Sequence, residues 1–481
     1  MDGVRKARGR ARKLDLLLVI VDSLRADAID ATVTPFLHAL GRRTVWFRRA
    51  HATECWTLPT HLSMFTGALP SQHGAHFRAM AYWASGPTMA ELLAAEGYRT
   101  TLATRNSVFD GTLPGVTRGF THVLRPLGEL TGSARPLATM LALAKPRVRR
   151  LVRESGFFHA LQKENREFLV TLARLAVPAD HLVLEHAAGR LTSGRGPRRP
   201  EFLCLNLYDM HAPYPPTASS PLRSWRSPKG AIENVMLPFV LPRIASHAYL
   251  RPGFRLLPGA RSMLRARYRA AAAMIDVRLA EFFSHLQAQG ALEHTLVVVT
   301  ADHGEAFGDH GLWLHDASTY QSHLHVPLWI HHPGVAPAIV DDVVSTRDLF
   351  GLLTAVGRGQ GLLDTILDPK RRVRRAVALA EHFHYPHAGP VHARFRSDQA
   401  AAIVGRRKVV LRDDGALAYD LMSDTAEEWP QRADIEEFER VCRADGHPPE
   451  AIQVAMDHLR GWRARFRSRA GGDPVRRVAF A

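Results

Sequence analysis

The chain has only three cysteines in 481 residues, too few for a disulfide-stapled scaffold. Lysine is scarce: seven of the 63 basic residues, leaving 56 arginines. No uninterrupted apolar stretch approaches the ~18–20 residues of a transmembrane helix. With 35 glycines and 30 prolines the composition is neither collagenous nor of low complexity. What is present suits a folded core: 46% of residues are hydrophobic and 23% are charged. The length suggests two or three domains, or one large domain with an appendage. The net charge of +17 points to nucleic acid, an anionic membrane or an anionic substrate, or to an arginine-rich composition that needs no partner.

The first residues resemble a signal peptide in having a basic head before an apolar run. That run, 14–21, is short and interrupted by Asp15, and no small-residue cleavage site follows it. It reads as a buried strand, and a cytoplasmic protein with reduced thiols is expected. Further strands are expected at 99–104, 202–207, 295–300 and 325–330, and helices at 88–96 and 262–289. The alternation predicts an α/β fold with a largely parallel sheet. There is no internal repeat. Residues 133–162 read as one or two basic amphipathic helices, and 189–200 as a basic Gly/Pro-rich loop. Past about residue 346 the texture changes. Two short strands around Asp413-Asp414-Gly415 predict a hairpin, and 451–470 reads as a basic helix.

Polar groups follow three of the apolar runs: Asp22 after the first, Asp209 and His211 after the third, Asp302 and His303 after the fourth. In open α/β sheets ligands bind beyond the carboxyl ends of strands, so these groups are expected to converge. A fourth element is Trp56-Thr57-Leu58-Pro59-Thr60-His61. Pro59 suits a first helical turn, which places Thr57 at a helix N-terminus, where free N–H groups favour an anion. Threonine is a weak nucleophile unless a cation lowers its pKa, and Asp22, Asp302, His303 and Thr57 form an O/N set suited to a hard or borderline divalent ion.

The blocks VIVDSLRAD (19–27), WTLPTHLSMFTGALPSQHG (56–74), NLYDMHAPYPP (206–216) and TADHGEAFGDHGLWLHDASTYQSHLHVPLWIHHPG (300–334) resemble the sulfatase branch of the alkaline-phosphatase superfamily. They occur in the family's order, with weaker echoes at 97–106, 274–279 and 405–421. The resemblance implies an alkaline-phosphatase-like three-layer α/β/α sandwich with a small C-terminal α+β subdomain. The expected division is a basic extension (1–13), a sulfatase-like catalytic domain (14–345) in which 217–260 is either a lid or substrate-selecting insertion or a surface excursion packed on the core, a C-terminal subdomain (346–450) and a basic helical tail (451–481). The resemblance implies one divalent cation (Ca²⁺, Mn²⁺ or Zn²⁺) on Asp22, Thr57, Asp302 and His303, with Thr57 as nucleophile; a second metal, as in two-metal members of the superfamily, would draw on Asp209, His211, His310 and His315. His211 would contact the ester or act as an acid, and His315 would touch the transferred anion or leaving oxygen. His61, Asp209, Glu305 and His310 are expected around these, Glu305 orienting His303.

The departures matter as much. Formylglycine sulfatases carry Cys or Ser where Thr57 stands, and Arg where His61 stands. Threonine cannot become formylglycine, and Cys55 is out of register by two residues, so it reads as a small buried hydrophobe. Ser23 takes the place of the family's second early carboxylate. The expected activity is metal-dependent hydrolysis of a sulfate or phosphate ester through Thr57. An alternative is a phosphodiesterase or phosphotransferase acting on a glycan or lipid headgroup. A rival of another class is a basic protein of nucleic acid or membrane surfaces with a vestigial site. No nucleic-acid motif of known spacing is present, and the Arg-rich segment 460–469 leaves peripheral membrane contact open. The histidines at 323, 325, 331 and 332 read as structural, and anion steering becomes the first explanation of the charge.

Overall fold

Nothing polar interrupts Leu16–Val21, and the strand it forms, Asp15–Val21 (β1), is buried along its whole length. The computed structural model describes residues 13–82, 86–125, 180–193, 199–212, 214, 240, 244, 253–315, 317–384 and 396–470. The helices read at 133–162 and most of the 217–260 insertion lie outside these residues, as do 194–198 of the basic loop.

Further strands follow in chain order: Val45–His51 (β2), Arg99–Thr104 (β3), His122–Leu124 (β4), Glu201–Leu207 (β5), Thr295–Thr300 (β6), Ala306–Phe307 (β7), Trp313–Leu314 (β8), His325–His331 (β9), Ala338–Val340 (β10) and Val344–Ser345 (β11). Among the described residues all but β7 and β8 form one nine-stranded sheet, ordered β10-β2-β9-β6-β1-β5-β3-β4, with β11 also on β2. The five strands β6-β1-β5-β3-β4 are mutually parallel. Strand β9 runs antiparallel to β6 and β2, so the sheet is mixed rather than largely parallel on that side. The physical reason is the connection: residues 301–324 return the chain to the same end of the sheet without a long crossover helix, which only an antiparallel neighbour permits.

Two groups of helices pack with this sheet and complete the α/β/α sandwich. Pro35–Leu40 and Asp180–Thr192 pack on the long helix Ala260–Ala288, while Thr57–Thr66, Met89–Ala95 and Leu349–Gly357 pack together. Leu349, Leu352 and Leu353 belong to the main core, which therefore continues past residue 345.

A second sheet is an antiparallel meander of Val377–His382 (β12), Gln399–Val404 (β13), Arg407–Arg412 (β14), Gly415–Asp420 (β15) and Gln431–Ala433 (β16). The hairpin at Asp413-Asp414 forms, with Arg412 paired to Gly415. The apolar run before it is two strands rather than one, because the chain turns at Gly405, whose φ is 51°. The helix Pro449–Ala470 buries Ala451, Ile452, Ala455, Met456, Leu459 and Trp462 in a core shared with this sheet. Two of its arginines, Arg460 and Arg463, pair with Glu439 and Glu436 of the neighbouring helix Ile435–Ala444. Among the described residues no helix is long and apolar enough to cross a membrane.

Candidate active site

Parallel strands β6, β1, β5 and β3 present their carboxyl ends on one side of the sheet. Asp22 directly follows β1, and Asp302 and His303 follow β6. All three are fully buried, and their ligand atoms lie within 4.8 Å of one another. Asp302 Oδ1 accepts from the backbone N–H of Ser23 (3.1 Å) and of His303 (2.9 Å), while its Oδ2 is buried without a hydrogen-bond partner. His303 Nδ1 lies 2.8 Å from the Gly304 carbonyl, which puts the hydrogen on Nδ1 and leaves Nε2 a lone pair. That Nε2 is 3.4 Å from Asp302 Oδ2 and 3.9 Å from Asp22 Oδ1. Two carboxylates, an imidazole lone pair and an orphaned carboxylate oxygen fit a divalent cation of hard or borderline character.

The local electrostatics agree. Burial, and then the charge of Asp22, pushes the Asp302 carboxyl well above its usual range. Burial acts the same way on Asp22, but His211, His303, His315 and His61 outweigh it and hold that carboxyl below its usual range. Burial depresses His303 strongly, and His61 to about 4, so both imidazoles are neutral near pH 7. Gly304 is required by space: a Cβ there would lie 2.1 Å from the Ser322 carbonyl oxygen.

Thr57 is the first residue of the buried helix Thr57–Thr66, which ends at Gly67 in the left-handed region (φ 70°). Its Oγ1 lies 3.5 Å from Asp22 Oδ2 and 3.4 Å from His303 Nε2. The expected nucleophile therefore sits beside the carboxylate and imidazole expected to share its cation. His61, one turn along, bonds the Thr57 carbonyl through Nδ1 (2.9 Å) and lies 3.6 Å from Asp302 Oδ2.

His211 and His315 meet edge to face at 4.8 Å, and the His315 ring is 4.6 Å from that of His303. His211 Nδ1 bonds the Ala212 carbonyl (2.8 Å), and its ring stacks on Tyr208. Glu305 does not orient His303, whose Nδ1 is already taken. It reaches His315 Nδ1 at 3.2 Å instead. His310 lies outside the cluster: its Nε2 bonds the Ala426 carbonyl and its ring stacks on Tyr320 at 3.7 Å. Asp209 is likewise drawn away, gripped by Arg105 and Arg278 and receiving the Asp180 N–H.

This buried Arg–Asp network clamps the loop leading to His211, and one member titrates. Burial, then Asp209, raises Asp180 to about 7. A carboxyl raised by folding adds stability below its ordinary value near ~4 and loses it as pH rises through the folded value. The melting temperature of Asp180→Asn is expected to fall less steeply with pH than that of wild type between about pH 4 and about pH 7. Parallel curves would refute this role for Asp180.

Residues not singled out from the sequence complete the site. Asn106 and Asn206 both donate to Asp22 Oδ2, at 3.1 and 3.3 Å, and Thr104 Oγ1 holds the Asn206 carbonyl oxygen at 2.8 Å. Both asparagines lie at the carboxyl ends of strands, so the rule that found Asp22 applied to them as well.

An alkaline-phosphatase-like sandwich with a cluster of candidate cation ligands and a buried hydroxyl at its strand ends defines the class of protein. Residues 15–356 match the sulfatase family model, and the chain belongs to the sulfatase family. It is 31% identical to arylsulfatase K of Gallus gallus over 220 residues, covering 40% of this chain and 39% of the relative. It is 24% identical to a choline-sulfatase of Rhizobium meliloti (strain 1021) over 364 residues, 68% of this chain and 64% of the relative. The matched stretches thus span less than two thirds of either relative. In fold it is similar to the phosphonate monoester hydrolase of Agrobacterium radiobacter, with a TM-score of 0.60 at 19% identity over 95% of this chain and 96% of that one.

Proposed function

We propose that the chain hydrolyses a sulfate or phosphate ester through a covalent Thr57 ester, with one divalent cation held by Asp22, Asp302, His303 and Thr57. The observation that supports this reading is the position of Thr57 Oγ1 within 3.5 Å of both Asp22 Oδ2 and His303 Nε2, at a buried helix N-terminus. When bound, the cation lowers the pKa of the hydroxyl and offsets the charge of an anionic substrate. Thr57 releases its proton to solvent, and its oxygen bonds to sulfur or phosphorus as the bond to the leaving oxygen breaks. N–H groups at the helix start cradle the non-bridging oxygens. The leaving oxygen takes a proton from His211 or His315. Water then attacks the same sulfur or phosphorus, giving one proton back to that imidazole and one to the departing Thr57 oxygen.

A second reading, transfer to an alcohol on a glycan or lipid headgroup or cleavage of a phosphodiester, is favoured by Ser23. Its hydroxyl donates to Asp22 Oδ1 at 3.0 Å where the family pattern has a carboxylate, a departure from the sulfatase ligand set at the site itself. The test is a substrate panel. Metal-stripped chain is reconstituted in turn with Ca²⁺, Mn²⁺ and Zn²⁺ and offered an aryl sulfate, an aryl phosphate diester and an aryl phosphonate. Multiple turnover of at least one, only with a cation, is expected. No turnover of any with all three ions would overturn the reading.

A further inference from the structure

Two groups among the described residues bring three ligand-type side chains within 4.8 Å of one another, and only one of them belongs to the site above. The other is Glu54, Cys55 and His382, all at most 1% exposed. Glu54 and Cys55 lie between β2 and the Thr57 helix, and His382 closes β12 of the second sheet.

Cys55 Sγ is 3.2 Å from Glu54 Oε1 and 3.6 Å from His382 Nδ1, and His382 Nδ1 is 2.9 Å from Glu54 Oε1. Zinc bonds of ~2.0–2.3 Å in a tetrahedral arrangement require donor separations of about 3.3–3.6 Å; the sulfur–nitrogen edge already has that length, and the two edges to Glu54 Oε1 reach it if that carboxylate oxygen moves by about 0.4 Å. The carboxylate is also aimed. Trp56 Nε1 donates to Glu54 Oε2 at 3.1 Å, which turns Oε1 toward the sulfur and the ring nitrogen. Thiolate, imidazole and carboxylate together select a softer ion than the oxygen-rich Asp22 cradle.

We propose that Glu54, Cys55 and His382 form a second cation site, for Zn²⁺ or a similarly thiophilic divalent ion, that clasps the second sheet to the segment just before Thr57. On binding, the Cys55 thiol gives its proton to solvent and sulfur takes a place in the ion's coordination shell. The proposal is independent of Thr57 chemistry, because its readout is spectroscopic.

The experiment is a Co²⁺ titration of the metal-stripped full chain, followed by near-ultraviolet absorption from thiolate-to-cobalt charge transfer. Wild type and Asp302→Asn are expected to develop the band, and Cys55→Ala and His382→Gln to lose it. Zinc analysis should find one equivalent fewer in either of those two variants than in wild type. Cys204 and Cys442 are buried in the cores of β5 and of Ile435–Ala444, away from this cluster, so the two variants assign the band. A wild-type chain that melts cooperatively yet shows no band overturns the proposal and leaves a hydrogen-bonded clasp. So does a band that survives in either variant. Should Cys55→Ala fail to fold, wild type and His382→Gln decide.

Discussion

Thr57→Ala is expected to lose at least ~10³-fold in kcat on whichever ester the chain turns over, the scale of removing a covalent nucleophile. The substitution deletes only a hydroxyl and a methyl group from a side chain that is 4% exposed. Alanine is a good helix former, so the helix survives. The melting temperature should therefore move little while turnover collapses. Thr57→Ser keeps the oxygen and should retain part of the activity. Mass spectrometry of wild type mixed with a slow substrate should locate the sulfate or phosphate on Thr57. Activity of Thr57→Ala within tenfold of wild type would remove Thr57 from the chemistry.

Asp302→Asn is expected to reverse the order of stabilities between chelator and cation. Without a cation, Asp302 is a buried carboxyl beside Asp22, and one of its oxygens has no partner. Asparagine keeps the oxygen that accepts from the Ser23 and His303 N–H groups and stays neutral beside Asp22 without having to take up a proton. In chelator the variant is expected to melt above wild type. With cation at about 100 times its dissociation constant, wild type gains roughly 2.7 kcal/mol and overtakes a variant that has lost the ligand. Hydrolysis should fall below detection in the variant. If both proteins respond equally to the cation, Asp302 does not hold it.

Much of this site was legible because its signals are local. Asp22 and Asp302-His303 each follow an apolar run, and the strands β1 and β6 deliver them as that pattern implies. Thr57-Leu58-Pro59 carries its own helix start. What the sequence concealed depends on register between distant strands. Asn106 and Asn206 meet at Asp22 only because β3, β5 and β1 run side by side with their ends level. Glu305 was expected on His303, yet the β7–β8 turn carries His315 back to Glu305 and over His303. The apolar stripe of the tail helix, from Ala451 to Trp462 at helical spacing, was visible in principle but masked by its arginines.

The family match stops at residue 356, whereas the hydrogen bonds that reach the Thr57 segment do not. The Glu381 N–H bonds the Thr53 carbonyl at 2.9 Å, and the Glu381 carboxylate holds both the Ser71 N–H and Trp462 Nε1. The backbone four residues before Thr57, the helix just past it and the C-terminal helix thus hang on one edge strand. Substitutions on β12 or on the C-terminal helix can therefore reach the segment that carries Thr57 through hydrogen bonds, without approaching it.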